Sequence, residues 1–156
     1  MVPEHLNIKP IADLATVIDC EHKTAPYIEQ SEFLVVRTSN VKNGALLHKD
    51  MKYTTNTAFK EWTQRATPSV GDVLFTREAP AGETCLVPNG YKMCMGQRMV
   101  LLRPNKNIVN HVYLSTYLVT DMCKYEIKRH SIGSTVSRIN ISDIKKMNIA
   151  DTANDS

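Results

Sequence analysis

The sequence predicts an α+β fold, in which a small twisted β-sheet of short strands is flanked by helices. Two observations lead to this prediction. Short apolar and β-branched runs, separated by Gly, Pro and Asn turn signals, fill the middle of the chain. Apolar residues at helical spacing lie towards its two ends. With 156 residues, the chain has the size of a single domain.

Local signals assign the elements of the first half. Proline suits the start of a helix, Asn-Gly accepts positive φ at both residues, and Thr and Asn cap helices. In order, the predicted elements are a short helix after Pro10, a strand near 17–19, a loop over 20–32, a buried strand over 33–37 that ends in polar 38–40, a turn at Asn43-Gly44, and a helix that follows Thr54-Thr55-Asn56 and presents Ala58, Phe59 and Trp62 on one face.

The second half is assigned in the same way. Proline ends strands, and apolar residues recur at helical spacing between 112 and 125. In order, the predicted elements are a turn at Gly71-Asp72, a strand over 73–77, a turn with Pro80 and Gly82, a strand over 84–87, a hairpin turn at Asn89-Gly90, a strand over 91–95, a strand over 98–103 before Pro104, a long helix capped by Asn110, a loop over 131–135, and a short helix capped by Ser142.

Composition excludes several classes of protein. Hydrophobic residues make up 42% and charged residues 22% of the chain, as in ordinary globular domains. The longest apolar runs have four residues, so no segment spans a bilayer or serves as the core of a signal peptide. We therefore expect a cytoplasmic protein with no membrane partner.

Cysteine and glycine usage indicates no catalytic or cofactor site. The four cysteines form no Cys-x-x-Cys pair, and no two histidines have zinc-finger spacing. We expect reduced, mostly buried thiols and no metal. Cys20 and His22 resemble a nucleophile and a base, but no third group completes a hydrolase site. With six glycines and no phosphate-binding motif, the chain itself is expected to bind no cofactor.

Charge is distributed unevenly along the chain. The net charge is only +3, but residues 1–83 sum to −2, residues 84–149 to +7, and residues 150–156 to −2. A basic half of this kind presents a face that suits a polyanion.

Polar clusters follow several of the predicted strands or occupy loops. They lie at 37–43, 76–78, 97–98 and 130–138. Arg reads guanine, Asn and Gln read adenine, and Ser, Thr and backbone amides contact phosphates. The clusters therefore predict a surface for DNA, although the same residue types also serve in ordinary turns and caps.

Taken in order, several segments resemble one known family. These segments are Asp19-Cys20-Glu21-His22-Lys23-Thr24-Ala25-Pro26-Tyr27, 34–44 (LVVRTSNVKNG), 71–80 (GDVLFTREAP), 95–104 (MGQRMVLLRP), and Gly133-Ser134-Thr135 with Ile139. Over residues 7–149 the chain resembles a target-recognition domain of the specificity subunits of type I restriction–modification systems.

The resemblance implies a non-catalytic role in a larger assembly. Specificity subunits carry two such domains, each followed by a long spacer helix, and each domain reads one half of a split double-stranded DNA target. They position methyltransferase subunits, which bind S-adenosylmethionine and methylate adenine, and, with the restriction (translocase) subunit, direct cleavage. The resemblance also implies a mostly structural turn at Gly71-Asp72.

The resemblance and the polar clusters together give the expected DNA-binding residues. They are Lys23, Arg37, Thr38, Ser39, Asn40, Lys42, Asn43, Arg77, Gln97, Arg98, Ser134, Thr135 and Arg138. We expect no catalytic and no metal-binding residues.

The domain organisation leaves alternatives open. We expect residues 1–149 to form one recognition domain and residues 150–156 a flexible polar tail, without a spacer helix or a second recognition domain. Such a chain is a fragment, a natural truncation, or one half of a split subunit that pairs with a second half or with its own copy. The alternative function is a protein-interaction module that binds methyltransferase subunits and modulates or inhibits the complex.

Overall fold

Short strands alternate with a few helices in the computed structural model, which describes residues 7–20, 23–78, 80–130 and 138–151. The strands are β1 (Asn7–Pro10), β2 (Ala15–Asp19), β3 (Phe33–Val36), β4 (Val41–Lys42), β5 (Ala45–Leu46), β6 (Lys52–Thr54), β7 (Val73–Thr76), β8 (Thr84–Leu86), β9 (Lys92–Met95), β10 (Met99–Pro104) and β11 (Asn148–Asp151). The helices are α1 (Ile11–Leu14), α2 (Asn56–Trp62), α3 (His111–Leu118), α4 (Asp121–His130) and α5 (Ile141–Lys146), with a 3-10 helix at Thr38–Asn40. The predicted α+β class is confirmed.

Two sheets form the centre of the molecule. The four-stranded sheet has the order β2-β10-β7-β8 and is antiparallel throughout. The three-stranded sheet has the order β6-β3-β9, and in it β3 pairs parallel to β9. Two further pairs, β1 with β11 and β4 with β5, complete the strands of the described residues. The single small sheet that the sequence predicts is thus divided between separate sheets.

The inner strands β3, β7 and β10 are covered on both faces, which explains why they are almost wholly apolar. In β7, Val73 and Phe75 pack with the helices α1 and α3–α5, whereas Leu74 lies in the cluster between the two sheets. In β9, Met93 faces that inter-sheet cluster and Cys94 faces α2. The order of layers is therefore helices, four-stranded sheet, three-stranded sheet, and α2.

The cysteines belong to these layers as buried thiols, not disulfides, as predicted. Burial raises the pKa of the Cys85, Cys94 and Cys123 thiols to about 12. These groups remain protonated at neutral pH and are poor nucleophiles, since the thiolate is the reactive form.

Two predicted features of the second half are wrong. The long helix after Asn110 is two helices, because Thr120 interrupts it: its hydroxyl accepts a hydrogen bond from the Cys123 N–H at 3.2 Å and caps α4. Asn89-Gly90 does turn the chain, with Gly90 at φ +92°, but it does not join a hairpin. β8 pairs with β7 and β9 pairs with β3, so the two flanking strands lie in different sheets.

Three boundaries also differ. The N-cap of α5 is Asn140, two residues earlier than the predicted Ser142. The strand predicted to start at Arg98 starts at Met99. Strand β11 extends to Asp151, two residues into the predicted tail, because it pairs with β1 through register partners that include Asn7 and Asp151. The predicted loop over 131–135 lies outside the described residues.

Candidate nucleic-acid interface

One edge of the layered core collects the ends of several strands. Val36 at the end of β3 is the register partner of Met95 at the end of β9. At the start of β10, Met99 is opposite Thr76 at the end of β7, and the next residue is opposite Asp19 at the end of β2. Segments distant in sequence therefore leave the core side by side. We call the side chains that they carry the strand-end surface, which consists of Arg37, Lys42, Asn43, Arg77, Glu78, Gln97, Arg98 and Arg138.

The turn between β9 and β10 is the most exposed part of this surface. Gly96 is buried, and its N–H donates to the Val36 carbonyl at 2.8 Å. A Cβ at Gly96 would lie 3.2 Å from that carbonyl oxygen and 3.3 Å from Cγ of Arg37, so the close approach favours glycine. Gln97 and Arg98 follow it and are both exposed, as a DNA contact requires.

Backbone hydrogen bonds bring three of the predicted arginines together. The Arg77 N–H donates to the Arg98 carbonyl at 2.8 Å, and the Ile139 N–H donates to the Arg77 carbonyl at 2.8 Å. Glu78 forms an isolated antiparallel bridge with Arg138, which is exposed. The segments that begin at Arg77, Arg98 and Arg138 are thus fixed relative to one another by the main chain.

The Arg77 side chain is mostly engaged with the protein itself. It is 19% exposed, its Nη1 lies 3.4 Å from Oδ1 of Asp19, and its Nε donates to the Ile139 carbonyl at 3.5 Å. These contacts tie β7 to the end of β2 and to the segment before α5. The geometry supports a structural role for this arginine more than the predicted DNA contact.

Asn40 corrects the prediction for the 37–40 segment, because it is fully buried and cannot face DNA. Its Oδ1 accepts the Arg37 N–H at 2.9 Å, and its Nδ2 donates to the carbonyls of Leu47 and Lys49 at 3.0 and 3.3 Å. The Asn40 side chain thereby supplies hydrogen-bond partners to three backbone groups of its own loop.

The other residues of this segment differ in exposure. Ser39 is exposed, whereas Thr38 is half-buried. Arg37 is also half-buried and donates from Nη2 to the Asp50 carbonyl at 2.6 Å, which joins the two ends of the loop. Ser39 is therefore the residue of Thr38–Asn40 best placed to reach a ligand.

The β4–β5 hairpin presents Lys42 and Asn43 as predicted by the Asn-Gly signal. Asn43 and Gly44 have φ values of +51° and +82°, which is the conformation that a tight hairpin turn requires. The Asn43 N–H donates to Oε1 of Glu83 at 2.8 Å, and the Glu83 N–H donates to the Thr76 hydroxyl at 2.9 Å. The hairpin tip is therefore attached beside the end of β7, with both Lys42 and Asn43 exposed.

Lys23 lies next to a cavity of about 120 Å³ at the same edge, which Asp19 and Cys20 also line. Its carbonyl accepts the Trp62 indole N–H at 3.2 Å. Arg65 lines this cavity too, and its Nη1 donates to the Asp19 carbonyl at 3.3 Å. Sequence reasoning missed Arg65, since a lone arginine before a proline-containing loop carries no local signal of its position.

Two of the expected residues, Ser134 and Thr135, lie outside the described residues, as does His22 of the considered Cys20–His22 pair. Cys20 itself is buried, and its thiol donates to the Met95 carbonyl at 3.2 Å. In the described ranges no group of three His, Cys, Asp or Glu side chains is arranged to hold a metal ion. Across the same ranges, no helix is long and apolar enough to cross a membrane.

Comparison with known proteins gives a family match over nearly the whole chain. The family model described as the type I restriction modification DNA specificity domain matches residues 3–150. No curated protein matches the chain in sequence.

Solved structures show the same fold. The S subunit of a type I restriction-modification system from M. genitalium has a TM-score of 0.64 and 14% identity, and the match covers 99% of this chain and 37% of that one. The HsdS subunit from Thermoanaerobacter tengcongensis has a TM-score of 0.58 and 15% identity, with 96% and 34% covered. A chain from a structure describing complex assembly and conformational transition of the type I R-M system has a TM-score of 0.60 and 17% identity, with 96% and 35% covered. The present chain therefore spans about a third of the length of these proteins.

Proposed function

The chain belongs to the family of type I restriction–modification DNA specificity domains, and on that basis we propose that it reads one half of a bipartite duplex DNA target through the strand-end surface. The observation that carries this proposal is the convergence of donor side chains from segments far apart in sequence. Five of the eight residues of the surface are Lys or Arg, and two more are Asn and Gln. These are the residue types that contact phosphates and base edges.

Exposure indicates which residues of this region contact phosphates or bases and which support the fold. Lys42 and Arg138 are exposed cations suited to phosphates, whose neutralisation releases counterions. Gln97 and Arg98 lie on the exposed turn after β9 and are suited to base edges in the major groove. Arg77 supports this surface, and Asn40 supports it from the interior, since the polar groups of both side chains bond protein partners.

The chemistry belongs to partners in this proposal. The chain is a non-catalytic component that positions a methyltransferase subunit and, with it, a restriction or translocase subunit. S-adenosylmethionine is bound by the methyltransferase and not by this chain. A second recognition half, supplied by another chain or by a second copy of this one, completes the bipartite site. A protein with these partners works in the cytoplasm, where the chromosome lies.

The alternative, a protein-interaction module that modulates the methyltransferase without reading DNA, has less support. The matching family is defined by DNA specificity, and the exposed Gln97 and Arg98 have no comparable explanation in it.

A randomised-duplex selection tests the proposal directly. The full chain is incubated with duplexes that contain a random segment, with and without a type I methyltransferase subunit, and the bound DNA is sequenced. We expect one short half-site to be enriched, with affinity that falls steeply between low and moderate salt. Absence of any enriched sequence in both arms, or an affinity that is flat with salt, would contradict the proposal. Binding to the methyltransferase without any effect of DNA would favour the alternative.

A further inference from the structure

Arg98 has a backbone conformation that residues other than glycine seldom adopt. Its φ is +69°, in the left-handed region where a Cβ is unfavourable. The conformation is fixed by the hydrogen bond from the Arg77 N–H to the Arg98 carbonyl, 2.8 Å long. Glycine or asparagine would take this conformation at less cost, yet the position carries a long cationic side chain. Strain of this kind is typical of functional positions, so the side chain itself needs a role.

The guanidinium of Arg98 is only partly used within the protein. Its Nε lies 2.7 Å from Oε1 of Glu78, and the two side chains are 54% and 27% exposed. Within the described part of the chain, Glu78 is the ion-pair partner of Arg98. A pair made through Nε leaves the two terminal Nη groups for another acceptor, and guanidinium carries five donors in a planar fork.

Glu78 is held firmly enough to orient its partner. Its backbone bridges to Arg138, and the preceding carbonyl, that of Arg77, accepts the Ile139 N–H at 2.8 Å. Glu78 therefore sits between the end of β7 and the segment before α5. The backbone that carries the Glu78 carboxylate is thus fixed, and the ion pair with it restricts the rotation of the Arg98 side chain, which is otherwise one of the most flexible types.

From these contacts we infer that Arg98 reads a guanine in the target and that Glu78 is the positioning residue that directs it there. This inference rests on the proposed function. Guanine offers O6 and N7 as paired acceptors in the major groove, which match two parallel donors of a guanidinium. The Glu78 carboxylate repels phosphates and cancels the charge of Arg98, so the pair gains little from non-specific contact with the DNA backbone. The Glu78 carboxylate contacts Nε of Arg98, so the Nη donors remain for the edge of a base.

Arg77 and Arg98 are alike in sequence reasoning but differ in their surroundings. Arg77 is 19% exposed and Arg98 is 54% exposed. Arg77 uses both Nε and Nη1 for protein partners, whereas Arg98 uses Nε. The guanine reader is therefore Arg98 and not Arg77.

The experiment compares the selected half-site of the wild-type chain with those of R98K, R98G and E78Q. R98K keeps the charge and loses the planar fork, so we expect preference for guanine at one position to fall about 5- to 150-fold. R98G relieves the left-handed strain, so it should unfold at a temperature equal to or above that of the wild type while losing the same preference. This stability measurement excludes misfolding as the cause.

E78Q tests positioning separately from contact. It should raise the affinity for non-target duplex about two- to fivefold and reduce discrimination at the same position as R98K. The matched control is E32Q, which changes the net charge equally but lies in the exposed pair with Lys92 near the start of β3, away from the strand-end surface. E32Q should keep the wild-type ratio of target to non-target affinity.

The outcomes distinguish failure of the proposed function from failure of the roles of Arg98 and Glu78. If the wild-type chain enriches no sequence, the proposed function fails. If it enriches a half-site that R98K and R98G read as strictly as the wild type, the role of Arg98 is overturned and the proposed function stands. If R98K relaxes one position but E78Q behaves like E32Q, Glu78 is not the positioning residue. Loss of the same base preference in R98K and E78Q, with E32Q unchanged, supports the inference.

Discussion

The segment after β3 and the turn after β9 leave the core side by side, because Val36 and Met95 are register partners in a parallel pair. Both are polar, yet they are built differently. After β3, Asn40 turns inward and supplies three hydrogen bonds to its own loop. After β9, Gln97 and Arg98 remain exposed. A polar residue at a strand end therefore either supports its loop through internal hydrogen bonds or is exposed to a ligand. Its burial decides which of the two roles it has.

Both segments emerge from the apolar core, and alkaline pH, which acts on the buried thiols of that core, has the largest expected effect on stability. Thiols ionise near 9.0 in the unfolded chain but near 12 when buried in the fold. The raised folded pKa means that stability is complete below pH 9 and declines between pH 9 and 12. At pH 10 each of the three thiols should lower the free energy of unfolding by about 1 kcal/mol, and the three together by a few kcal/mol.

Urea denaturation at pH 7.5 and pH 10 under reducing conditions measures this loss. C94A removes one of the three groups, so its decline over the same interval should be smaller by about 1 kcal/mol. An equal decline in C94A and wild type would show that the Cys94 thiol does not titrate as its burial implies.

N40A tests the supporting segment directly. It removes an amide that is fully buried and leaves the Arg37 N–H and two carbonyls without their partner. We expect a loss of about 2–4 kcal/mol in the free energy of unfolding, measured in urea. The neighbouring exposed residue gives the control, since S39A should change stability by less than about 0.5 kcal/mol. Similar losses of unfolding free energy in N40A and S39A would contradict the assignment of Asn40 as a loop-supporting residue and Ser39 as an exposed one.

R77A and R98A extend the comparison to two arginines of the same surface. R77A loses the contacts with Asp19 and Ile139 at a mostly buried side chain, so we expect it to destabilise the fold by about 1–2 kcal/mol. R98A should stay within about 0.5 kcal/mol of wild type, because its ion pair is exposed. Thermal or urea unfolding of the two purified variants decides the matter. A larger loss in R98A would reverse their assigned roles.

The smallest expected effect concerns the hairpin tip. E83Q weakens the hydrogen bond from the Asn43 N–H to Oε1 of Glu83, which joins the tip to the end of β7. Because this contact is exposed, we expect a loss of about 0.5 kcal/mol or less. Amide hydrogen exchange at Asn43 should nevertheless become faster. Unchanged exchange would mean that the backbone bond from Gly44 to Thr84 is enough to hold the tip.

Local signals account for the parts of the fold that sequence reasoning predicts well. Asn110 caps α3 through its side chain, as expected, and accepts the N–H groups of Val112 and Tyr113. Thr120 carried a similar signal, a cap residue followed by Asp121, but the apolar spacing that continues past it favoured one long helix. Local capping signals therefore predicted a helix start correctly where no apolar helical spacing continued across the same residues.

Long-range pairing and burial could not be predicted in the same way. Nothing near Asn89-Gly90 indicates that β9 pairs with β3 instead of β8. Likewise, Asn40 and Ser39 are both small polar residues after a strand, and only the return of the chain past Leu47 and Lys49 buries one of them. Four of the predicted site segments do meet at one edge, but which members are exposed depends on contacts made far along the chain.

The parallel pairing of β3 with β9 has a consequence for how the molecule folds. Its register partners lie about sixty residues apart along the chain, so a large loop must close before the pair gains any energy. The strand-end surface depends on that closure, so we expect it to be completed after the more local helices and hairpins. On the proposed function, we therefore expect a nascent or partly unfolded chain to form secondary structure before it has a surface able to discriminate one DNA sequence from another.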